Sequence, residues 1–159
     1  MKRIAVFVLL SFLLLSFCAC GLLDFGKISV GERVEDDENT KEGISDSAMR
    51  YISHTETSLT VEMANGSQST WQSGNMRDYE LHVKKDGVWH RVEQKGEFAN
   101  TMELMLFAPG DTITHTFEFD ERYGRLTPGE YRVVKNFWAN ETDSQEAGAF
   151  YLSCEFIVE

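Results

Sequence analysis

From about residue 43 to the C-terminus, apolar side chains fall on every second position, a period that restricts this part of the chain to half-buried strands. Leu59, Val61 and Met63 alternate with Thr60 and Glu62 before the turn residues Asn65-Gly66-Ser67. Tyr79, Leu81 and Val83 alternate up to Lys85-Asp86-Gly87, with Trp89 and Val92 on the return. Met102 to Phe107 is stopped by Ala108-Pro109-Gly110-Asp111, after which Ile113, His115, Phe117 and Phe119 alternate with threonines and Glu118. Tyr131, Val133, Lys135 and Phe137, then Leu152, Cys154, Phe156 and Val158, complete the set. About seven short strands with turn signals between them predict an all-β, antiparallel two-sheet sandwich over residues 43–159. Only Asp120-Glu121-Arg122-Tyr123-Gly124 breaks the alternation, and it predicts a single helical turn.

Asp86-Gly87 is the strongest hairpin signal in the chain, and its loop length decides the fate of Trp89. A two-residue loop pairs Lys84 with Trp89 and leaves the indole on the polar face as a candidate ligand platform. A three-residue loop with Gly87 in the left-handed region pairs Val83 with Trp89 and buries the ring against Leu81 and Tyr79. The second is expected, because it places the largest side chain in the core. Gly87 and Trp89 are then structural residues.

The run Leu126-Thr127-Pro128-Gly129-Glu130-Tyr131 resembles the tyrosine corner of immunoglobulin-like and fibronectin-like sandwiches, in which the hydroxyl bonds back to the upstream backbone. Tyr131 is therefore expected to be structural. Tyr79-Glu80-Leu81, Asp86-Gly87-x-Trp89, Pro109-Gly110, Tyr123-Gly124-x-Leu126-x-Pro128-Gly129-x-Tyr131-Arg132 and the final Glu155-Phe156 extend the likeness. In that order, after Leu59 to Asn65, they resemble the bacterial immunoglobulin-like domain of small secreted or lipid-anchored proteins. The resemblance covers nearly all of the expected folded part and rests on turns and core positions. It implies an accessory or binding module with no shared catalytic residues.

The first residues address the chain outside the cytoplasm. Met1-Lys2-Arg3, an apolar run from Ile4 to Phe17 broken only by Ser11 and Ser16, and then Cys18-Ala19-Cys20-Gly21 describe a secretory signal too short to span a bilayer comfortably. At Cys20 it resembles the lipobox of bacterial lipoproteins, which implies cleavage after residue 19 and a diacylglycerol on Cys20. Phe17 departs from the aliphatic residue usual at that place. Cys18 is a poorer acceptor because Phe17 would precede the cut, and an ordinary secretory signal without lipid is the alternative. Two acyl chains suffice for stable anchoring. The expected location is the extracytoplasmic face of the cell membrane.

Residues 20–42 read as a lipid-anchored, flexible acidic spacer, since they mix glycines with Glu35-Asp36-Asp37-Glu38-Asn39 and sustain no apolar period. Calcium is disfavoured there, because its loops alternate ligands around a turn-making glycine. Losing Lys2 and Arg3 takes the formal charge from −11 to −13. Such a chain repels nucleic acid and anionic head groups. Cleavage leaves Cys20 and Cys154, so with Cys20 lipidated no internal disulfide is expected.

Reactive constellations are not expected. His54, His82, His90 and His115 have no zinc-ligand spacing, the serines lack a nucleophile elbow, and no phosphate loop is present. Cys154 alternates with Leu152 and Phe156 as a small core residue. No metal, no cofactor and no enzymatic activity are expected. Two long polar segments, Asn65 to Asp78 with Trp71 and Met76, and Ala139 to Gly148 after Trp138, are candidate binding loops. Against this, Trp is highly buried on average, and Trp71 and Trp138 would then plug the sandwich ends. The expected function is a non-catalytic module that binds a protein, peptide or cell-wall partner. The alternative is an inhibitor or sensor domain acting on a protease or signalling partner.

Overall fold

Alternation becomes structure most plainly in Ser58–Asn65, where every second side chain is buried. The computed structural model describes residues 28–35, 41–43, 46–98, 103–139 and 148–159. Within them the strands in chain order are β1 (Ser29–Arg33), β2 (Lys41–Glu42), β3 (Ser47–Thr55), β4 (Ser58–Asn65), β5 (Trp71–Ser73) and β6 (Glu80–Lys85). β7 (Val88–Glu93), β8 (Met105–Phe107), β9 (Thr112–Glu118), β10 (Gly129–Ala139) and β11 (Gly148–Val158) follow. One sheet runs β3-β4-β9; the other runs β1-β7-β6-β10-β11-β2, with β5 bridging β10 to β8. All pairings are antiparallel except β2 on β11. Among the described residues eleven strands thus stand where about seven were expected, the excess being the short pieces β1, β2, β5 and β8.

The inner faces of the two sheets meet in one aromatic-rich core. Leu59, Val61 and Met63 of β4 and Phe117 of β9 come from the smaller sheet; Leu81, Val83, Tyr131, Val133, Phe137, Phe150, Leu152 and Phe156 come from the larger. Tyr131 lies fully inside, and its hydroxyl donates to the Thr127 carbonyl at 2.8 Å, fixing the chain's entry into β10. Tyr131→Phe is expected to cost about 1 kcal/mol, because it strands that carbonyl. A chemical-denaturation midpoint unchanged from wild type would remove the corner from the stability argument. The turn after β9 is closed by the Tyr123 and Gly124 amides, which donate to the Phe119 carbonyl at 2.7 and 2.9 Å. This is the single helical turn anticipated there.

Two expectations are corrected. Ser29–Arg33, read as spacer, is strand β1 and pairs with β7 through Ser29↔Glu93 and Val30↔Val92, while Ile28 packs on the core. Lys41–Glu42 likewise forms β2. Too short and glycine-broken for a visible period, these pieces are held by the ladder of a neighbouring strand. The hairpin is the second correction. Asp86 (φ 51°) and Gly87 (φ 79°) form a two-residue loop with both residues left-handed, so Lys84 pairs with Trp89 and Val83 with His90. That twist matches the strands, whereas burying the indole required an extra loop residue. Gly66 is fixed differently: a Cβ there would lie 2.3 Å from the Asp46 carbonyl oxygen.

Candidate binding cleft

With Trp89 turned out, the outer face of the larger sheet carries a chain of polar contacts. Glu80 accepts from Arg91 Nε at 2.9 Å and lies 2.9 Å from His82 Nε2. His82 Nδ1 accepts from Arg132 Nε at 3.0 Å, so the ring carries its proton on Nε2 and donates to Glu80. The His82 hydrogen bond, aided by Arg91, holds the Glu80 carboxyl below its ordinary range. His82 is buried although it faces outward, because the long side chains of its neighbours cover it. The Arg132 guanidinium carbon stands 4.7 Å from the Trp89 ring centre and Lys84 Nζ 5.3 Å from it. Lys84 also pairs with Glu130 at 2.9 Å.

Beside this ladder opens a cleft of about 530 Å³, walled by Trp89, Glu130, Glu155 and Ile157 on the larger sheet and by Tyr51 and His54 on β3. Tyr131 and Phe156 complete its lining. His54 stands between the walls: its Nδ1 is 3.0 Å from the Tyr51 hydroxyl, and its ring centre is 5.4 Å from that of Phe156. Tyr51 is 50% exposed, with its ring centre 5.8 Å from that of His54. Glu155 faces Arg132 in register, yet the Arg132 Nε is committed to His82. Among the described residues no hydrogen bond of the Glu155 carboxylate is found, while its charge adds to that of Glu130 in raising the Lys84 pKa.

A second cleft, about 650 Å³, lies against β9 and is lined by Met76, Tyr79, Phe98, His115 and Arg122 among others. Arg122 occupies its aromatic surface, with its guanidinium carbon 5.4 Å from the Tyr79 ring centre and 5.1 Å from that of Phe98. It also donates to the Arg77 carbonyl. Burial pushes the His115 imidazole below its ordinary range, with Lys135 adding to the effect.

The candidate loop residues separate. Trp71 is fully buried, its indole N–H donating to Ser67 Oγ at 3.0 Å, and Met76 is buried too. Trp71 is turned inward because the polar segment before it satisfies itself through Asn65, Ser67 and Ser69, whereas Met76 lines the second cleft. Trp138 is in strand β10 and 47% exposed, opposite Gln72 of β5, which in turn faces Leu106 of β8. Cys154 is buried, and burial pushes its thiol up to about 11, unsuited to nucleophilic work. Cys20, residues 36–39 of the acidic run and residues 140–147 of the second polar segment lie outside the described residues. Among the described residues, no three His, Cys, Asp or Glu side chains converge as a metal site.

Two facing sheets, a tyrosine corner and a core built from alternate residues of both sheets define an immunoglobulin-like sandwich. Residues 44–149 match the family model of the bacterial Ig-like domain, and the chain belongs to that family. A comparison with curated proteins found no match. Sequence reasoning missed the cleft because it joins β3 to β11, far apart in the chain, and depends on a hairpin register that brings Trp89 outward.

Proposed function

We propose that the chain is a lipid-anchored, non-catalytic binding module on the extracytoplasmic face of the cell membrane, engaging a protein, peptide or cell-wall partner. The observation that carries this reading is the basic and apolar leader that ends at Cys20, joined to a domain of the bacterial Ig-like family. Family membership supports the non-catalytic role. The burial of Trp71 takes that side chain off the expected contact surface, and the exposed Trp138 and the exposed faces of the sandwich stay on it. Mass spectrometry of the mature protein is expected to find Cys20 as the N-terminus carrying a diacylglycerol. Cys20→Ala should then move the protein from the membrane pellet to the soluble fraction. An unmodified Cys20, or a variant still in the pellet, would remove the anchor from this account.

A further inference from the structure

We propose that the cleft between β3 and β11 receives an arginine side chain from an extended basic segment of a partner protein. The proposal rests on the reading of the chain as a binding module. A guanidinium is planar: it stacks on aromatic rings and forks to carboxylates, and this cleft offers both surfaces. Tyr51 and Ile157 are exposed, and Glu155 supplies a carboxylate that interacts with Lys84 through charge, with no hydrogen bond found among the described residues. Glu130, already bound to Lys84, adds to the negative side of the wall. Lys84 and Arg132 both stand over the ring of Trp89, itself a wall of the cleft. Arg132 on Trp89 and Arg122 between Tyr79 and Phe98 show that the molecule uses arginine–aromatic contacts twice in its own structure. In the second cleft that internal arginine fills the aromatic surface; in this one no arginine lines the walls.

The backbone around the cleft favours a peptide over a free small molecule. β3 is the edge of its sheet, and β11 pairs with β2 only at Phe150 and Tyr151. Among the described residues neither strand has a ladder partner on the cleft side, and because β3 and β11 already pack against each other, an extended segment would follow one of these edges and not lie between the two. A volume of about 530 Å³ suits one side chain with its flanking backbone. The net charge of −11 would steer a basic partner toward the domain.

The test is calorimetric titration of the full-length protein in non-ionic detergent with two acetylated, amidated pentapeptides, Ala-Val-Arg-Val-Ala and the same peptide with citrulline for arginine. Citrulline keeps the planar shape and removes the charge. The arginine peptide is expected to saturate with a Kd of ~1 mM or tighter, and the citrulline peptide to bind ~10-fold more weakly. Glu155→Gln should weaken the arginine peptide ~10-fold with an unchanged melting temperature, while Glu121→Gln, outside this cleft, leaves it unaffected. Equal affinity for the two peptides, unsaturable binding, or indifference to Glu155→Gln would overturn the assignment. A cross-linked membrane partner captured equally by wild type and Glu155→Gln would also overturn it, yet would leave the binding-module reading standing.

Discussion

Replacing Trp71 with alanine is expected to lower the unfolding free energy by about 3–5 kcal/mol, a large share of the total for a domain of this size. Trp71 heads the set of fully buried large side chains. Its ring centre lies 5.1 Å from that of Phe150, 5.6 Å from Phe137 and 6.3 Å from Phe107, so one truncation removes the shared neighbour of three core rings. Phe107 and Phe137 belong to the strands flanking β5 and Phe150 to β11 beyond β10, so the rings cannot close over the void without shifting their ladders. A polar loss adds to the apolar one. Trp71 Nε1 donates to Ser67 Oγ, which donates to Asn65 Oδ1 at 2.7 Å, and Asn65 in turn holds the Ser69 and Phe107 carbonyls at 2.9 Å each. Trp71→Phe should retain much of the packing and lose mainly this hydrogen bond, at a cost of about 1–2 kcal/mol. Urea denaturation of the three proteins measures the series. If Trp71→Ala lost less than about 1 kcal/mol, the residue would be free to serve as a contact surface and the buried assignment would fail.

How far the letters reached is clear from individual residues. Leu59, Val61 and Met63 announced β4 because burying one face of a strand forces period two, and Tyr131 announced its own corner because the motif is local. Trp89 went the other way. Asp86-Gly87 specified a hairpin, but one residue of loop length inverted every side chain beyond it, and the preference for burying the largest ring was weaker than the twist preference of the left-handed pair. Ser29–Arg33 was invisible as a strand because its stability comes from β7, a neighbour about 60 residues away, which no local pattern encodes. The cleft was harder still, since Tyr51, Trp89 and Glu155 meet only after both sheets have formed.

Lys135 shows the same limit from inside the core. Its place in the row Tyr131, Val133, Lys135, Phe137 marks it as inward-facing, and it is only 1% exposed, yet nothing local names its partners. They are the Asn75 and Asp78 carbonyls, to which the ammonium donates at 3.0 and 2.7 Å, so the lysine ties the segment before β6 to the centre of β10. Lys135→Ala removes a buried stem, strands the Asp78 carbonyl and leaves the Asn75 carbonyl with the Asp78 amide as a donor, and it also removes a buried charge. Losing the stem and the donor outweighs losing the charge, giving an expected loss of about 2 kcal/mol at pH 7.

That loss should grow with pH. Burial, with a smaller push from Arg122, lowers the Lys135 pKa from 10.5 to about 8. Between those values the unfolded chain binds more protons than the folded one, so the lysine's contribution to stability rises with pH, beginning near 8 and ending near 10.5. From pH 7 to pH 9 the wild type therefore gains about 1 kcal/mol that Lys135→Ala cannot gain, and the difference between them widens to about 3 kcal/mol. Cys154 acts in the opposite sense: its thiol, raised from 9.0 to about 11, gives up stability as pH climbs through that interval. Because Cys154 is present in both proteins, its effect cancels in the difference even where it flattens each separate curve. Denaturant titrations of wild type and variant at pH 7, 8 and 9 isolate the lysine; a constant gap would mean that Lys135 keeps its proton throughout and that the two carbonyls offset the cost of burying the charge.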